Sequence, residues 1–172
     1  MDKFQIKYLD HMERKTKQLK DGSNAPFNEQ VMSGFTEVLN TITNRRSRRV
    51  FREKVVDDEL KLIIESANRA PSSCNRRGVS LKEAPEDLIP LLVGGVGWCD
   101  KGTVLAFYAD MTAYKSPYEK DFMPYLDTGF MAQNICLLCE VMGLGCCFIN
   151  PNTHNKYKSE HLLTGAISIG KI

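Results

Sequence analysis

Residues 125–150 read YLDTGFMAQNICLLCEVMGLGCCFIN. From Phe122 to Met142 apolar side chains recur on every side of a helical period, so this is a long helix buried around most of its circumference. Gly-Leu-Gly at 143–145 ends it, because a glycine after the last turn readily takes the left-handed conformation that closes a helix. The following CCFIN reads as a short buried strand. A core helix that passes through a glycine stop into a strand makes the chain a mixture of α and β.

Working outward, TVLAFYAD (103–110) is the clearest strand, a nearly continuous run of β-branched, aromatic and aliphatic residues buried on both faces. GAISIG (165–170) reads as the last strand, and Val79–Lys82 as a short one. VDDELKLIIESANRAP predicts a helix with Asp57 or Asp58 as N-cap, Leu60, Ile63, Ile64 and Ala67 facing inward, and Pro71 beyond its end. Upstream, Val31, Phe35, Val38, Leu39 and Ile42 are spaced for a helix from about Asn28 to Thr43. Residues 4–20 form a further candidate helix, and PEDLIPLL (85–92) a short one. The order of elements predicts an α+β fold, a three-layer sandwich with helices on both faces of one sheet.

At 172 residues, 42% of them hydrophobic and 26% charged, the chain suits one globular domain. No apolar run approaches the roughly 20 residues that span a bilayer. The amino-terminal MDKFQIKYLDHMERK is charged throughout and lacks the apolar region of a signal peptide. A cytoplasmic protein with no membrane partner is expected. Six cysteines agree with that compartment. Cys136 and Cys139 lie inside an apolar run, and no second half of a zinc site accompanies them. They read as buried reduced thiols. Cys74, in a polar turn, is the exception.

Against a net charge of only +2, six of the twelve residues in TNRRSRRVFREK (43–54) are Arg or Lys. Three readings stand open on composition. The cluster is a solvated face, or a basic module for nucleic acid, or a compact phosphate site in which planar guanidinium forks and the Ser47 hydroxyl meet phosphate oxygens. With 23 basic and 21 acidic residues overall, long-range attraction to a polyanion would be weak.

The order of three segments adds to this. NRRSRRVF, an amphipathic helix ending in APSSCN, and then the D-x-G-x-x-x-Q-N-x-x-L helix ending in Gly-Leu-Gly resemble the FMN-dependent nitroreductase family across about residues 36–170. The resemblance implies that family's three-layer α/β/α sandwich with a mainly antiparallel central sheet, in a homodimer. Residues 36–172 would be the FMN-binding domain and 1–35 an amino-terminal helical extension. Arg45, Arg46, Ser47 and Arg49 fall on the family's flavin motif, which contacts the phosphate, ribityl chain and ring edge; Arg48 falls between them. Pro71, Ser72, Ser73 and Asn75 match the segment that reaches the flavin of the partner subunit, although plain turn chemistry after Pro71 also suits both serines. Asn150, Pro151 and Asn152 fall where backbone groups approach the flavin N5 side. Lys171 stands where relatives supply a basic phosphate contact, near an end at which they commonly continue. In the long helix, Gly129, Met131 and Asn134 read as packing residues.

One departure concerns substrate. Relatives often follow the Asn of APSSxN with Gln-Pro-Trp, where this chain has Arg76, Arg77 and Gly78. The two cations either favour an acidic substrate or are solvated. The implied activity is hydride transfer from NADH or NADPH through flavin N5 to a small organic acceptor such as a nitroaromatic or quinone. No Ser-His-Asp set, carboxylate pair or metal cluster offers a competing chemistry, so no catalytic side chain is assigned; the isoalloxazine does the hard step. Two alternatives remain: a flavin-binding protein without turnover, and a basic nucleic-acid-binding module.

Overall fold

A computed structural model of the chain describes residues 29–93, 99–150 and 161–172. It divides into two compact units, Met1–Thr43 and Asn44–Ile172. The first contains most of helix α1 (Glu29–Asn44), within a residue of the expected span. The candidate helix at residues 4–20 lies outside the described residues.

The second unit is built on a four-stranded sheet in the order β1 (Val79–Glu83), β2 (Thr103–Asp110), β4 (His161–Lys171), β3 (Leu144–Ile149). All three pairings are antiparallel. Strand alternation splits its side chains between two cores. From β2, Leu105, Phe107 and Ala109 face one way, joined by Ile167 and Ile169 of β4 and Cys146 of β3. Helices α2 (Asp57–Asn68) and α4 (Pro117–Val141) cover that face through Ile63, Ala67, Ile135 and Cys139. Val104 and Ala106 face the other way with Cys147, Ile149 and Ala166, beneath Phe51, Cys99 and Leu92 of the short helix α3 (Ile89–Val93). The result is the three-layer α/β/α sandwich expected. Five of the six cysteines are buried and free, and Cys74 alone is exposed.

Three boundaries differ from the sequence reading. Helix α4 begins at Pro117, five residues before the first apolar repeat, because Ser116 caps it by accepting from the Glu119 amide at 3.1 Å. The cap of α2 is Val56, neither Asp57 nor Asp58. The Glu59 carboxylate reaches back to the Val56 N–H at 2.9 Å, which leaves both aspartates in the first turn, where the helix dipole favours them. Strand β4 starts four residues earlier than GAISIG, and a bulge at Thr164 interrupts its register with Phe107 and Tyr108. The Thr164 hydroxyl is not orphaned by the bulge, since it bonds Thr128 at 2.6 Å and the Phe107 carbonyl at 3.3 Å. Gly143, at φ +69°, closes α4 as expected.

Candidate functional site

The arginine segment runs from β3 to the end of β4. Arg48 N–H donates to the Cys146 carbonyl at 2.9 Å, and Arg52 N–H to that of Lys171 at 2.8 Å. Glu53 and Lys171 complete an antiparallel bridge, Lys171 N–H donating to Glu53 at 2.9 Å. Backbone bonds therefore bring Lys171 to the same end of the sheet as the arginines.

Phe51 anchors this segment. It is 2% exposed, its ring lying over Gly102, Gly145 and Gly170, which precede or belong to three neighbouring strands. Gly145 and Gly170 are register partners. A Cβ at Gly170 would meet Phe51 Cβ at 2.8 Å, and one at Gly145 would meet its ring at 3.1 Å. A slot without side chains thus holds the ring and fixes where the preceding arginines emerge.

Exposure differs along this segment. Ser47, Arg48 and Arg49 are exposed and Arg45 half-buried. Among the described residues no carboxylate forms an ion pair with Arg45, Arg48 or Arg49. Arg46 donates to the Arg45 carbonyl at 2.9 Å. The Arg45 charge favours the Cys136 thiolate, but the hydrogen bond to Cys146 and burial still push that thiol up. On the opposite face, burial pushes the Cys99 thiol up to about 11, with Arg49 opposing. Exposed guanidiniums on a backbone fixed to the sheet suit an anion with several oxygens.

The second predicted segment lies elsewhere. Pro71 to Gly78 joins α2 to β1 through the short 3-10 turn Ser73–Asn75. Cys74, Asn75 and Arg77 adopt φ of 51°, 55° and 52°, a left-handed conformation that costs non-glycine residues about 1–2 kcal/mol each. Asp127 of α4 holds the turn. Only 2% exposed, it accepts from Ser73 N–H and from the Tyr114 hydroxyl, both at 2.9 Å. Burial, then the bond to Asp127, push the Tyr114 pKa up, so it remains a donor. Arg76 adds a second tie, donating to Glu119 at 2.9 Å and to the Ala113 carbonyl at 3.2 Å. That bond, together with the Lys115 amide, holds the Glu119 carboxyl below its ordinary range.

Arg48 bonds β3 and the Pro71–Gly78 turn runs into β1, and these are the two opposite edge strands of the sheet. Asn150 is exposed at the end of β3. Pro151 and Asn152 lie outside the described residues. The arginine segment and Lys171 come together, then, whereas Pro71, Ser72, Ser73 and Asn75 do not join them.

Sequence reasoning missed Asp127, Tyr114, Phe51 and Glu119. Asp127 had one signal, its place as the acidic residue that opens the D-x-G-x-x-x-Q-N-x-x-L pattern. The others had none, since their roles depend on contacts distant in sequence. Asn134 acts as the packing residue expected, its side-chain amide donating to the Ser66 carbonyl at 3.0 Å. Among the described residues no group of His, Cys, Asp or Glu side chains is arranged to hold a metal ion, and no helix is long and apolar enough to cross a membrane.

The model of the nitroreductase family matches residues 81–167, half of the chain. No curated protein matches. Among solved structures, the chain is similar to Bacillus megaterium NfrA2 with a TM-score of 0.68 at 23% identity, covering 78% of this chain and 66% of that one. It is similar to the NADPH:FMN oxidoreductase of Vibrio harveyi, solved with NAD+, with a TM-score of 0.69 at 21% identity, covering 78% and 68%. The NfrA1 nitroreductase of Bacillus subtilis gives 0.67 at 23%, covering 78% and 66%. The chain spans about two thirds of the length of each of these structures.

Proposed function

The chain belongs to the nitroreductase family, and on that premise we propose that it is an FMN-dependent oxidoreductase working as a homodimer on small organic acceptors, with NADH or NADPH as electron donor. The arginine segment is the observation that carries this reading. Arg45 and Arg49 have no carboxylate partner among the described residues, on a backbone pinned to β3 and anchored by Phe51. In this reading Arg45, Arg46 and Arg49 hold the FMN phosphate, with Ser47 as a short hydroxyl donor and Lys171 adding a cation from the end of β4. Pro71, Ser72, Ser73 and Asn75 serve the flavin of the other subunit, and Asn150, Pro151 and Asn152 its N5 side.

When bound, FMN supplies two-electron chemistry, taking a hydride from the nicotinamide and passing electrons on to the acceptor. The protein's share is to hold and orient. Asp127 and Arg76 keep the Pro71–Gly78 turn in its left-handed form, which makes it a fixed wall rather than a loose loop. Acceptor protons come from solvent or from the flavin itself, with no side chain assigned to deliver them.

An absorbance spectrum of the purified chain, reconstituted with excess FMN, tests the proposal. A bound flavin spectrum that bleaches on adding NADH or NADPH is expected, and an unbleached one would mean storage without turnover. Failure to retain FMN sinks the proposal altogether. Arg45→Glu and Arg49→Glu should each weaken FMN binding more than tenfold, because a charge-assisted bond contributes about 1.5–3 kcal/mol. Unchanged titrations for both would remove this cluster from the phosphate.

A further inference from the structure

Behind the Pro71–Gly78 turn lies a cavity of about 340 Å3. Ala67, Ala70, Val79, Leu81 and Met131 make about half of its wall apolar. Its polar groups are Asn68, Ser72, Arg77, Ser80 and Asp127. Several are already committed. Ser80 Oγ donates to the Tyr108 carbonyl at 3.3 Å. Both Asp127 oxygens are taken, by Ser73 N–H and the Tyr114 hydroxyl.

The two extra arginines part company here. Arg76 is bound to Glu119 at 2.9 Å and does not line the cavity. Arg77 does line it. Its left-handed backbone is fixed by its own N–H donating to Ser72 Oγ at 3.0 Å. One guanidinium nitrogen donates to the Asn68 carbonyl at 3.2 Å, and among the described residues no carboxylate pairs with it. A strained, exposed residue that places a cation with no carboxylate partner among the described residues at the rim of a half-apolar cavity invites a ligand explanation.

Size and charge narrow the ligand. Small-molecule sites run roughly from 300 to 1,000 Å3, so this cavity suits one substituted ring and not a dinucleotide. Met131 and Val79 offer a thioether and a branched aliphatic surface to such a ring. The guanidinium fork matches a carboxylate in geometry. A second negative charge would face Asp127 with no cation to offset it. We propose that this cavity binds small aromatic monocarboxylic acids, Arg77 gripping the carboxylate, and that such acids are the preferred acceptors. The second clause rests on the function proposed above; the binding itself does not.

The test uses the full chain without FMN, titrated calorimetrically with benzoate, its neutral isostere benzamide, and phenyl phosphate, a dianion near neutral pH. Benzoate should bind at least tenfold tighter than either, as expected for one charge-assisted contact. Arg77→Asn removes the charge while keeping a residue that tolerates positive φ, and should abolish the preference. Arg77→Lys should restore part of it. Equal binding of benzoate and benzamide, equal binding of phenyl phosphate, or an undiminished preference in Arg77→Asn overturns the proposal.

With FMN and NAD(P)H present, 4-nitrobenzoate is compared with 4-nitrobenzamide. In each first turnover the nicotinamide gives up a hydride, solvent supplies one proton, and the nitro group becomes nitroso plus one water. The native protein should favour the acid at least tenfold in kcat/KM, and Arg77→Asn should lose that ratio without a change in FMN affinity. If benzoate binds through Arg77 but no flavin turnover occurs, the function above fails and the site stands. Turnover without a preference for the acid leaves the function standing and removes this inference.

Discussion

Asp127 shows what a single residue contributes at the centre of this fold. Its carboxylate satisfies two donors from other segments, the part-buried Ser73 N–H and the buried Tyr114 hydroxyl. Asp127→Ala would orphan both, at about 1–3 kcal/mol for each unsatisfied group. Tyr114→Phe keeps the Ser73 contact and should cost less; urea unfolding of the two variants checks that order. Glu119 gives a pH signature. Because the bond to Arg76 lowers its folded pKa below the unfolded value, its contribution is fully present above the ordinary carboxylate range and is lost as pH falls through the depressed folded value. The gap in Tm between the native protein and Glu119→Gln should therefore be open at neutral pH and close on acidification. A constant gap would mean that the Arg76–Glu119 pair does not tie down the turn. Arg76 illustrates the limit of sequence reading at this scale. Two adjacent arginines look alike in the chain, and only the tertiary position of Glu119 separates the one that is paired from the one that lines the cavity.

At the scale of elements, most of the architecture was legible because burial leaves a period in the sequence. Strand β2 was read to its residue boundaries from an unbroken apolar run, and the Gly143 stop from a glycine where the helix had to end. Boundaries set by polar caps were not. Ser116 and Glu59 start helices through specific hydrogen bonds that apolar spacing does not reveal. The glycine slot was hidden for another reason: Gly102, Gly145 and Gly170 lie far apart in the chain and become one surface only through strand register. That slot makes a sharp prediction. A methyl group at Gly170 would meet both Phe51 and the Glu53 carbonyl at 2.8 Å. Since the carbonyl is backbone, the whole 51–53 segment has to give. Gly170→Ala should cost about 1–3 kcal/mol by overpacking, seen as a lower denaturation midpoint. It should also weaken FMN binding, because the arginines are carried on the displaced segment. A destabilised variant with unaltered FMN affinity would separate the slot from the site.

For the whole molecule, the decisive fact is that the two site segments join opposite edge strands, β3 and β1. No residue pattern announced that placement, although the family resemblance implied that the segments serve different flavins. In the proposed dimer, one chain would offer each cofactor half a site, and a second copy would bring its turn to the first chain's arginines. Helix α4 provides a surface for such a copy. Tyr118, Tyr125, Leu126, Phe130 and Val141 repeat at helical spacing along it and are 40–73% exposed. Gly129 sits among them with open space where a side chain would be. A glycine in a helix interior costs about 1 kcal/mol relative to alanine, so its presence on an exposed apolar face favours close approach by another element. We therefore expect the FMN-loaded protein to sediment as a dimer. Phe130→Glu should place a charge in the contact and yield a monomer. Phe130 lies in neither site segment, so any loss of FMN affinity in that variant reports the missing partner. The expected loss is at least tenfold, corresponding to removal of one or more polar contacts made by the absent turn. A Phe130→Glu monomer that binds FMN as tightly as the native protein would show that the arginine segment is sufficient by itself, and the assignment of Pro71, Ser72, Ser73 and Asn75 to a partner's flavin would fall with it.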